Sequence, residues 1–484
     1  MISLEHFSYR YAGNDQPALE DLSLTIDEGE FVLLTGPSGC GKTTLALALA
    51  GFLFSQYDGE FSGNVDVFGR NPSKEPIYEI ADLVGLVQQN PENQFCTLMV
   101  EDEIAFGLEN RNIPREEIER SLVWALEAVG CLHLRDRSLR SLSGGEKQKI
   151  ALAAILAANP RLIIFDEPTS NLDPTATREI FEIILDLQRR AKVTVLVIEH
   201  KHDFLDRAGP RLIQMSAGRI LGQNASRPGP ITVRKPEYMN SVDQPLLEVT
   251  GLRASYPGRK VLDGLDFQLF PGELVSLLGD NGSGKSTLLL SLLKMHPPES
   301  ASILFKGRDL KDIEPYELGR EIGLVFQNPD HQIFAQTVWQ EAVLGPVNYR
   351  LQPGEYEDRT RSLLDRAGLG DRLQEHPYRL SYGEKRRLNL ISILSYQPQL
   401  LLLDEIFIGQ DWKNAEFLMG LLVDYVQAGN SVIVVNHNPA YYPLISTRLL
   451  FLSGGKLVVD APLAEGLRRI EEIGKSVYLP GSGS

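Results

Sequence analysis

The 484-residue chain is 43% apolar and 23% charged, an ordinary globular composition in a length that holds about three domains at ~150 residues each. Its 64 acidic residues against 48 basic ones leave a formal charge of −16, which repels polyphosphate backbones and argues against broad nucleic-acid binding. The longest apolar runs, Leu45 to Phe54 and Ala151 to Ala158, fall short of the ~20 residues that cross a bilayer.

In chain order, Met1 to Arg10 lacks the basic-then-apolar pattern of a secretory signal, so the cytosol is the expected compartment. Ile2 to Tyr11 and Leu22 to Ile26 alternate as short strands. Phe31 to Thr35 is an apolar strand entering Gly36-Pro-Ser-Gly-Cys-Gly-Lys-Thr43, and Thr43 to Phe54 is the helix that follows. From about Pro91 to Ala158 the pattern is helical, with Pro114-Arg-Glu-Glu-Ile118 opening one helix at an N1 proline followed by first-turn acids. Leu162 to Phe165 and Val193 to Ile198 are apolar strands alternating with helices, which predicts a doubly wound α/β core interrupted by a helical subdomain. Cys40, Cys96 and Cys131 show no CxxC spacing and read as reduced thiols.

The same order then recurs. Gly279-Asp-Asn-Gly-Ser-Gly-Lys-Ser286 answers the first glycine-rich turn, Val325-Phe-Gln-Asn-Pro329 answers Val87-Gln-Gln-Asn-Pro91, and Leu380-Ser-Tyr-Gly-Glu384 answers Leu142-Ser-Gly-Gly-Glu146. Leu403-Asp-Glu405 answers Phe165-Asp-Glu167, and His437 answers His200. A period this long means two copies of a whole domain rather than a solenoid. The copies are expected at 1–222 and 246–475, with strands Leu247 to Tyr256, Leu265 to Leu269 and Leu274 to Leu278 and a helix Ser286 to Met295 opening the second. Residues 223–245, with Pro228, Gly229, Pro230, Pro236 and Pro245, form the expected linker, and 476–484 a flexible tail.

A glycine-rich turn between strand and helix lets backbone N–H groups converge on phosphate oxygens. Lys42 and Lys285 are placed to reach the β- and γ-phosphates, and Thr43 and Ser286 to offer a hydroxyl to Mg²⁺. The wider ATP-binding set is Gly36, Ser38, Gly39, Gly41 and Thr44 in the first copy and Gly279, Asn281, Gly282, Gly284 and Thr287 in the second. Asp166-Glu167 and Asp404-Glu405 end apolar strands, where carboxylates are costly without a cation or hydrogen bonds. The first acid of each pair suits Mg²⁺, directly or through water, and the second suits orienting or deprotonating an attacking water.

These residues together resemble the ATP-binding cassette (ABC) ATPases, whose motif order they follow over nearly the whole chain. The resemblance implies tandem P-loop NTPase domains, each a doubly wound α/β core with an antiparallel β subdomain and a helical subdomain. It implies that Tyr11 and Tyr256 stack on adenine, that Gln89 and Gln327 are the Q-loop glutamines beside Mg²⁺, and that His200 and His437 contact the γ-phosphate. It also implies head-to-tail pairing of the two domains, so that Ser143, Gly144 and Gly145 serve the second nucleotide and Ser381, Tyr382 and Gly383 the first. The copies are unequal: Tyr382 replaces a signature glycine, Ile406-Phe407 stands opposite Pro168-Thr169, and Ile408-Gly-Gln-Asp411 opposite Ser170-Asn-Leu-Asp173.

Gln89-Asn-Pro-Glu-Asn-Gln94-Phe95 and Gln327-Asn-Pro-Asp-His-Gln332-Ile-Phe334 are similar to the segment after the Q-loop in ATPases of energy-coupling factor (ECF) importers of the cobalt and thiamine-precursor type. That resemblance implies a motor, peripheral to the cytoplasmic face of the membrane, with a transmembrane scaffold subunit and a substrate-binding membrane subunit as partners and ATP and Mg²⁺ as cofactors. Glu101, Asp102, Glu103 and Glu341 are acids that either receive basic tips of scaffold helices or complement their own helix dipoles. A fused sugar-importer ATPase is the alternative within transport. A soluble twin-cassette ATPase acting on ribosomes or DNA is the alternative outside it, against which the linker's small net charge speaks.

Overall fold

The computed structural model describes residues 1–170, 172–191, 193–199, 205, 208–223, 233 and 244–481. The chain divides into two compact units, Met1–Gly229 and Pro230–Ser482. His200 and almost all of the expected linker lie outside the described residues.

In the first unit β1 (Ile2–Tyr11), β2 (Leu19–Ile26) and, after β3 (Phe31–Thr35), β4 (Gly59–Val67) appear in chain order, and β2-β1-β4 form an antiparallel sheet. The main sheet has the order β5-β6-β7-β3-β8-β9, from β5 (Val84–Val87), β6 (Leu162–Asp166), β7 (Thr194–Ile198), β8 (Arg211–Ser216) and β9 (Arg219–Gln223). All its pairs are parallel except β8–β9. Its central strands each carry four consecutive apolar residues, with Thr35, Asp166 and Thr194 only at their ends, because both faces are covered. Leu33, Ile163, Phe165, Val195 and Val197 join the core under the helical subdomain, while their alternates Val32, Leu34, Ile164, Leu196 and Ile198 join the core that includes the antiparallel sheet.

The second unit repeats this plan. Its antiparallel sheet is β11-β10-β13-β14, from β10 (Leu247–Tyr256), β11 (Arg259–Leu269) and, beyond β12 (Leu274–Leu278), β13 (Ser300–Phe305) and β14 (Arg308–Asp309). Its main sheet is β15-β16-β17-β12-β18-β19, from β15 (Ile322–Val325), β16 (Leu400–Asp404), β17 (Ser431–Val435), β18 (Arg448–Ser453) and β19 (Lys456–Pro462). In each unit the strand entering the glycine-rich turn and the strand ending in the acid pair flank one common neighbour, β7 or β17. Their carboxyl ends therefore open onto the same edge, where doubly wound folds bind ligands.

Three local expectations are corrected. The helix expected over Thr43 to Phe54 is two helices, Lys42–Leu49 and Phe52–Gln56, because Gly51 takes φ +79° between them. Pro114 is the extended cap rather than the first helical residue, and its helix runs Arg115–Ala128. The tail expected to be flexible from residue 476 instead forms a 3₁₀ turn, Ser476–Tyr478, with Val477 and Tyr478 buried beside Tyr442 and Phe451. Burial of Val477 and Tyr478 offsets the entropy of ordering the turn. Among the described residues no helix is long and apolar enough to cross a membrane.

Candidate functional site

At the end of β3 the chain turns through Gly36, where a Cβ would come within 2.3 Å of the Met215 carbonyl; Gly279 after β12 is hemmed in by the Leu452 carbonyl at 2.2 Å. Both take φ values in the left-handed range, +154° and +144°, so the turn demands glycine. Gly41 and Gly284 cap the helices Lys42–Leu49 and Lys285–Leu292 with φ 103° and 109°. Each turn folds around its lysine. Lys42 Nζ donates to the carbonyls of Gly36 and Pro37 at 2.9 and 2.8 Å, and Lys285 Nζ to those of Gly279 and Asp280 at 2.8 and 2.9 Å. Both ammonium groups are buried. Ser283 Oγ, also in the second turn, is buried with no hydrogen-bond partner, an orphaned hydroxyl that a phosphate oxygen would satisfy. Cys40, at the matching position, is buried with Sγ 4.0 Å from Lys42 Nζ.

Asp166 and Asp404 end β6 and β16 beside these turns. Burial, and then the adjacent Glu167 or Glu405, pushes each carboxyl up to about 6, against the opposing pull of Thr43 and Lys42 or of Ser286 and Lys285. A desolvated carboxyl beside a hydroxyl is an oxygen donor set that fits a hard dication, since the ion would offset the cost of ionising the acid there. Thr43, Gln89 and Asp166 would hold Mg²⁺ in the first unit and Ser286, Gln327 and Asp404 in the second. When bound, the ion supplies positive charge to phosphate oxygens. The second unit also has a cavity of about 200 Å³ lined by Ser286, Gln327, His331 and Asp404 among others.

The next residues, Glu167 and Glu405, adopt φ 49° and 57°, a left-handed conformation that costs a non-glycine residue about 1 kcal/mol or more. Gln89 Nε2 donates to Glu167 Oε2 at 3.2 Å, and Gln327 Nε2 to Glu405 Oε2 at 2.8 Å. His437 Nε2 lies 2.8 Å from Glu405 Oε1, an ion-pair distance. Burial tends to raise Glu405, but His437 first, then Lys285 and Arg386, hold it well below the usual carboxylate range. An ionised carboxylate with an amide near one oxygen and an imidazole near the other is an acceptor that can orient a water.

Not every expected residue converges. Tyr11 touches the first glycine-rich helix, its hydroxyl 3.2 Å from Thr44 Oγ1, with Tyr9 and Tyr57 edge-on to its ring. Tyr256 is half-exposed and stacks on His296 at 4.5 Å. Ser143 and Ser381 cap the helices Gly144–Ala157 and Tyr382–Leu394 in capping boxes with Glu146 and Glu384, leaving Gly144, Gly145 and Gly383 in their first turns. The acids past the Q-loop are already engaged. Glu103 is buried and accepts from the Cys96 and Thr97 backbone and the Thr97 hydroxyl; Glu341 accepts from the Phe334 and Ala335 backbone at 2.8 Å; Glu101 pairs with Arg135. Glu103 and Glu341 are therefore neither docking groups nor solvated acids, since their oxygens serve the chain itself, whereas Glu101 keeps 43% of its side chain exposed beside Arg135. Sequence reasoning missed Arg386, a fully buried arginine beside Glu405, although its place in the motif, where the first copy has Gln148, was a visible signal.

Two glycine-rich turns of this kind, each joined to a strand-end acid pair, define a twin P-loop NTPase. The family model for the ABC transporter matches residues 19–170 and again 262–407, and the chain belongs to that family. Among its relatives, the protein YkoD of Bacillus subtilis (strain 168), named as an HMP/thiamine import ATP-binding protein, is 34% identical, with 96% of this chain and 92% of that one covered. A protein of Methanosarcina acetivorans named as an ABC transporter ATP-binding protein is 33% identical, covering 97% of this chain and 86% of its own. A solved structure of cbiO1 from Clostridium perfringens, part of the ABC transporter complex cbiONQ, aligns at 30% identity over 50% of this chain and 98% of that one, with a TM-score of 0.43. Membership makes this chain an ATP-binding subunit of an ABC transporter: such domains bind ATP, typically with Mg²⁺, and couple its hydrolysis to transport through membrane partner subunits.

Proposed function

We propose that this chain is the ATP-hydrolysing motor of an importer of the ECF type, peripheral to the cytoplasmic face of the membrane, that takes up a vitamin or transition-metal micronutrient. The observation that carries the reading is the segment after each Q-loop glutamine. Both copies fold Asn-Pro-acid-x-Gln into a 3₁₀ turn, Pro91–Asn93 and Pro329–His331, with Asn90 or Asn328 as the cap. Gln94 and Gln332 then bond back to the preceding strand, accepting from the Gln88 or Phe326 N–H and donating to the Leu86 or Leu324 carbonyl. Beyond each turn an apolar side chain is left in solvent, Leu98 at 61% exposure in the first copy and, at a different position of the repeat, Phe334 at 76% in the second. Exposed apolar groups on a braced turn suit a partner helix. The name of YkoD supports a thiamine precursor as cargo.

Within this reading Glu167 and Glu405 are the general bases, Gln89 and Gln327 position the water and the ion, Lys42 and Lys285 bind phosphate, and His437 steadies Glu405. Tyr11 and Tyr256 contact adenine. The deciding experiment is affinity purification of the tagged chain from detergent-solubilised membranes. Stoichiometric recovery of a multi-helix scaffold with a small membrane subunit is the expected result. Recovery with ribosomes or DNA factors alone would sink the transport reading.

A further inference from the structure

Arg386 heads the large side chains that are fully buried, at 1% exposure. It stands in the second turn of the helix Tyr382–Leu394, where the first copy has the neutral Gln148. Removing a guanidinium from water costs several kcal/mol unless its donors are met. Here the two terminal nitrogens find partners in backbone and a phenol. Nη1 donates to the Glu405 carbonyl, and Nη2 to the Gln327 carbonyl at 2.6 Å and to the Tyr382 hydroxyl at 2.8 Å; Nε has no partner. The Tyr382 ring lies 4.8 Å from the guanidinium carbon, and its hydroxyl donates to the same Gln327 carbonyl at 3.2 Å. That ring sits against Gly409, where a Cβ would come within 3.2 Å of it.

Arg386 therefore joins three elements of its unit: the signature helix, the loop after β15 and the end of β16. Gln327 and Glu405 already touch through their side chains, so the guanidinium fixes by the backbone the same pair that meets by the side chains. It also secures the carbonyl of a residue held in the left-handed conformation, φ 57°, which survives only when its surroundings over-determine it. In the first copy, Gln148 Nε2 reaches the Gln88 carbonyl at 3.5 Å, a longer contact to a neighbouring residue.

We propose that Arg386, with Tyr382, is a positioning residue peculiar to the second copy, holding Gln327 and Glu405 in register for attack by water. This rests on the reading of Glu405 as the base. The test uses the full chain carrying Glu167→Gln, so that the remaining turnover reports the second site. Arg386→Gln restores a residue that the first copy accommodates buried, and Tyr382→Phe removes only the hydroxyl.

Arg386→Gln is expected to lower kcat about tenfold with KM for ATP within about twofold, as misplacement of a reacting pair does. Tyr382→Phe is expected to show the same split to a smaller degree. Hydrogen exchange should quicken over residues 326–332 and 405–410 while β12, β16 and β17 stay protected. An unchanged kcat, or a loss that comes with faster exchange throughout those strands, would overturn the proposal. Failure of the underlying reading shows separately, as full turnover in a chain carrying Glu405→Gln together with Glu167→Gln.

Discussion

Gln327 Nε2 meets Glu405 Oε2 across 2.8 Å, and Gln89 meets Glu167 in the same way at 3.2 Å. Each contact joins the loop after an edge strand of the main sheet to the end of its neighbour, so a shift of the loop moves the carboxylate. Both glutamates keep a left-handed backbone, a strain that clusters at functional sites.

Glutamine in place of either glutamate keeps the size of the side chain and gives up the basic oxygen. Glu167→Gln and Glu405→Gln are each expected to leave ATP binding within about twofold and to slow hydrolysis at the altered site by about 10²–10⁴-fold. Single-turnover hydrolysis beside nucleotide titration checks both. A double variant that hydrolyses at the wild-type rate excludes the assignment.

The strand-end aspartates give a pH prediction. Asp166 and Asp404 are pushed up to about 6 from 3.8, first by burial and then by the adjacent glutamate. Between these values the folded, nucleotide-free chain binds more protons than the unfolded chain, so its stability falls as pH rises and the full penalty stands above about pH 6. Asp166→Asn and Asp404→Asn are therefore expected to stabilise the chain by roughly 1–3 kcal/mol per site at about pH 7.5. The gain should vanish below about pH 4. Denaturant unfolding at the two pH values measures it, and an equal effect at both would refute the sign.

The turns, acid pairs and sheet were legible because their constraints are local. A glycine where no Cβ fits, an apolar run covered on both faces and an acid at a strand end all announce themselves within a few residues. The departure of Arg386 from Gln148 was visible in the repeat, but its role was not legible, because its acceptors at Gln327 and Glu405 come from separate loops that only the fold unites. Tyr478 was hidden in a stretch rich in glycine, proline and serine, whose composition speaks for a flexible tail. Glu103 and Glu341 were ambiguous in kind, since an acid opening a helix reads alike whether it is solvated or buried. Their recurrence at one spacing after both Q-loops was the available clue.

Burial of Glu341 supports a stability prediction. At 1% exposure it accepts the Phe334 and Ala335 backbone N–H groups. Glu341→Ala strands these donors and leaves a hole, and is expected to cost about 2–4 kcal/mol, whereas Glu341→Gln, which keeps one acceptor oxygen, should cost less. Glu103→Ala should behave likewise through Cys96 and Thr97. Urea unfolding ranks the variants, and Glu341→Ala at wild-type stability would contradict the stapling role.

The C-terminal turn supplies the last prediction. Asp280, in the second glycine-rich turn, presents its carboxylate to Lys475 Nζ and the Tyr478 hydroxyl while its backbone carbonyl accepts from Lys285 Nζ. Lys475 and Tyr478 thus brace the loop that holds the phosphate-binding lysine. The ion pair is about one-third exposed and so contributes less than about 1 kcal/mol to folding. Tyr478 is fully buried, edge-on to Phe451 at 4.9 Å, with its carbonyl accepting from Tyr442. Tyr478→Ala is accordingly expected to cost about 3–5 kcal/mol. Lys475→Met and Tyr478→Phe, nearly neutral for stability, should instead weaken ATP binding at the second site by about 3–10-fold, because a looser turn must be ordered when nucleotide binds. Titration with a fluorescent ATP analogue in a chain disabled at Lys42 isolates that site. Unaltered affinity in the Lys475→Met, Tyr478→Phe double variant would show that the turn holds its shape without the brace.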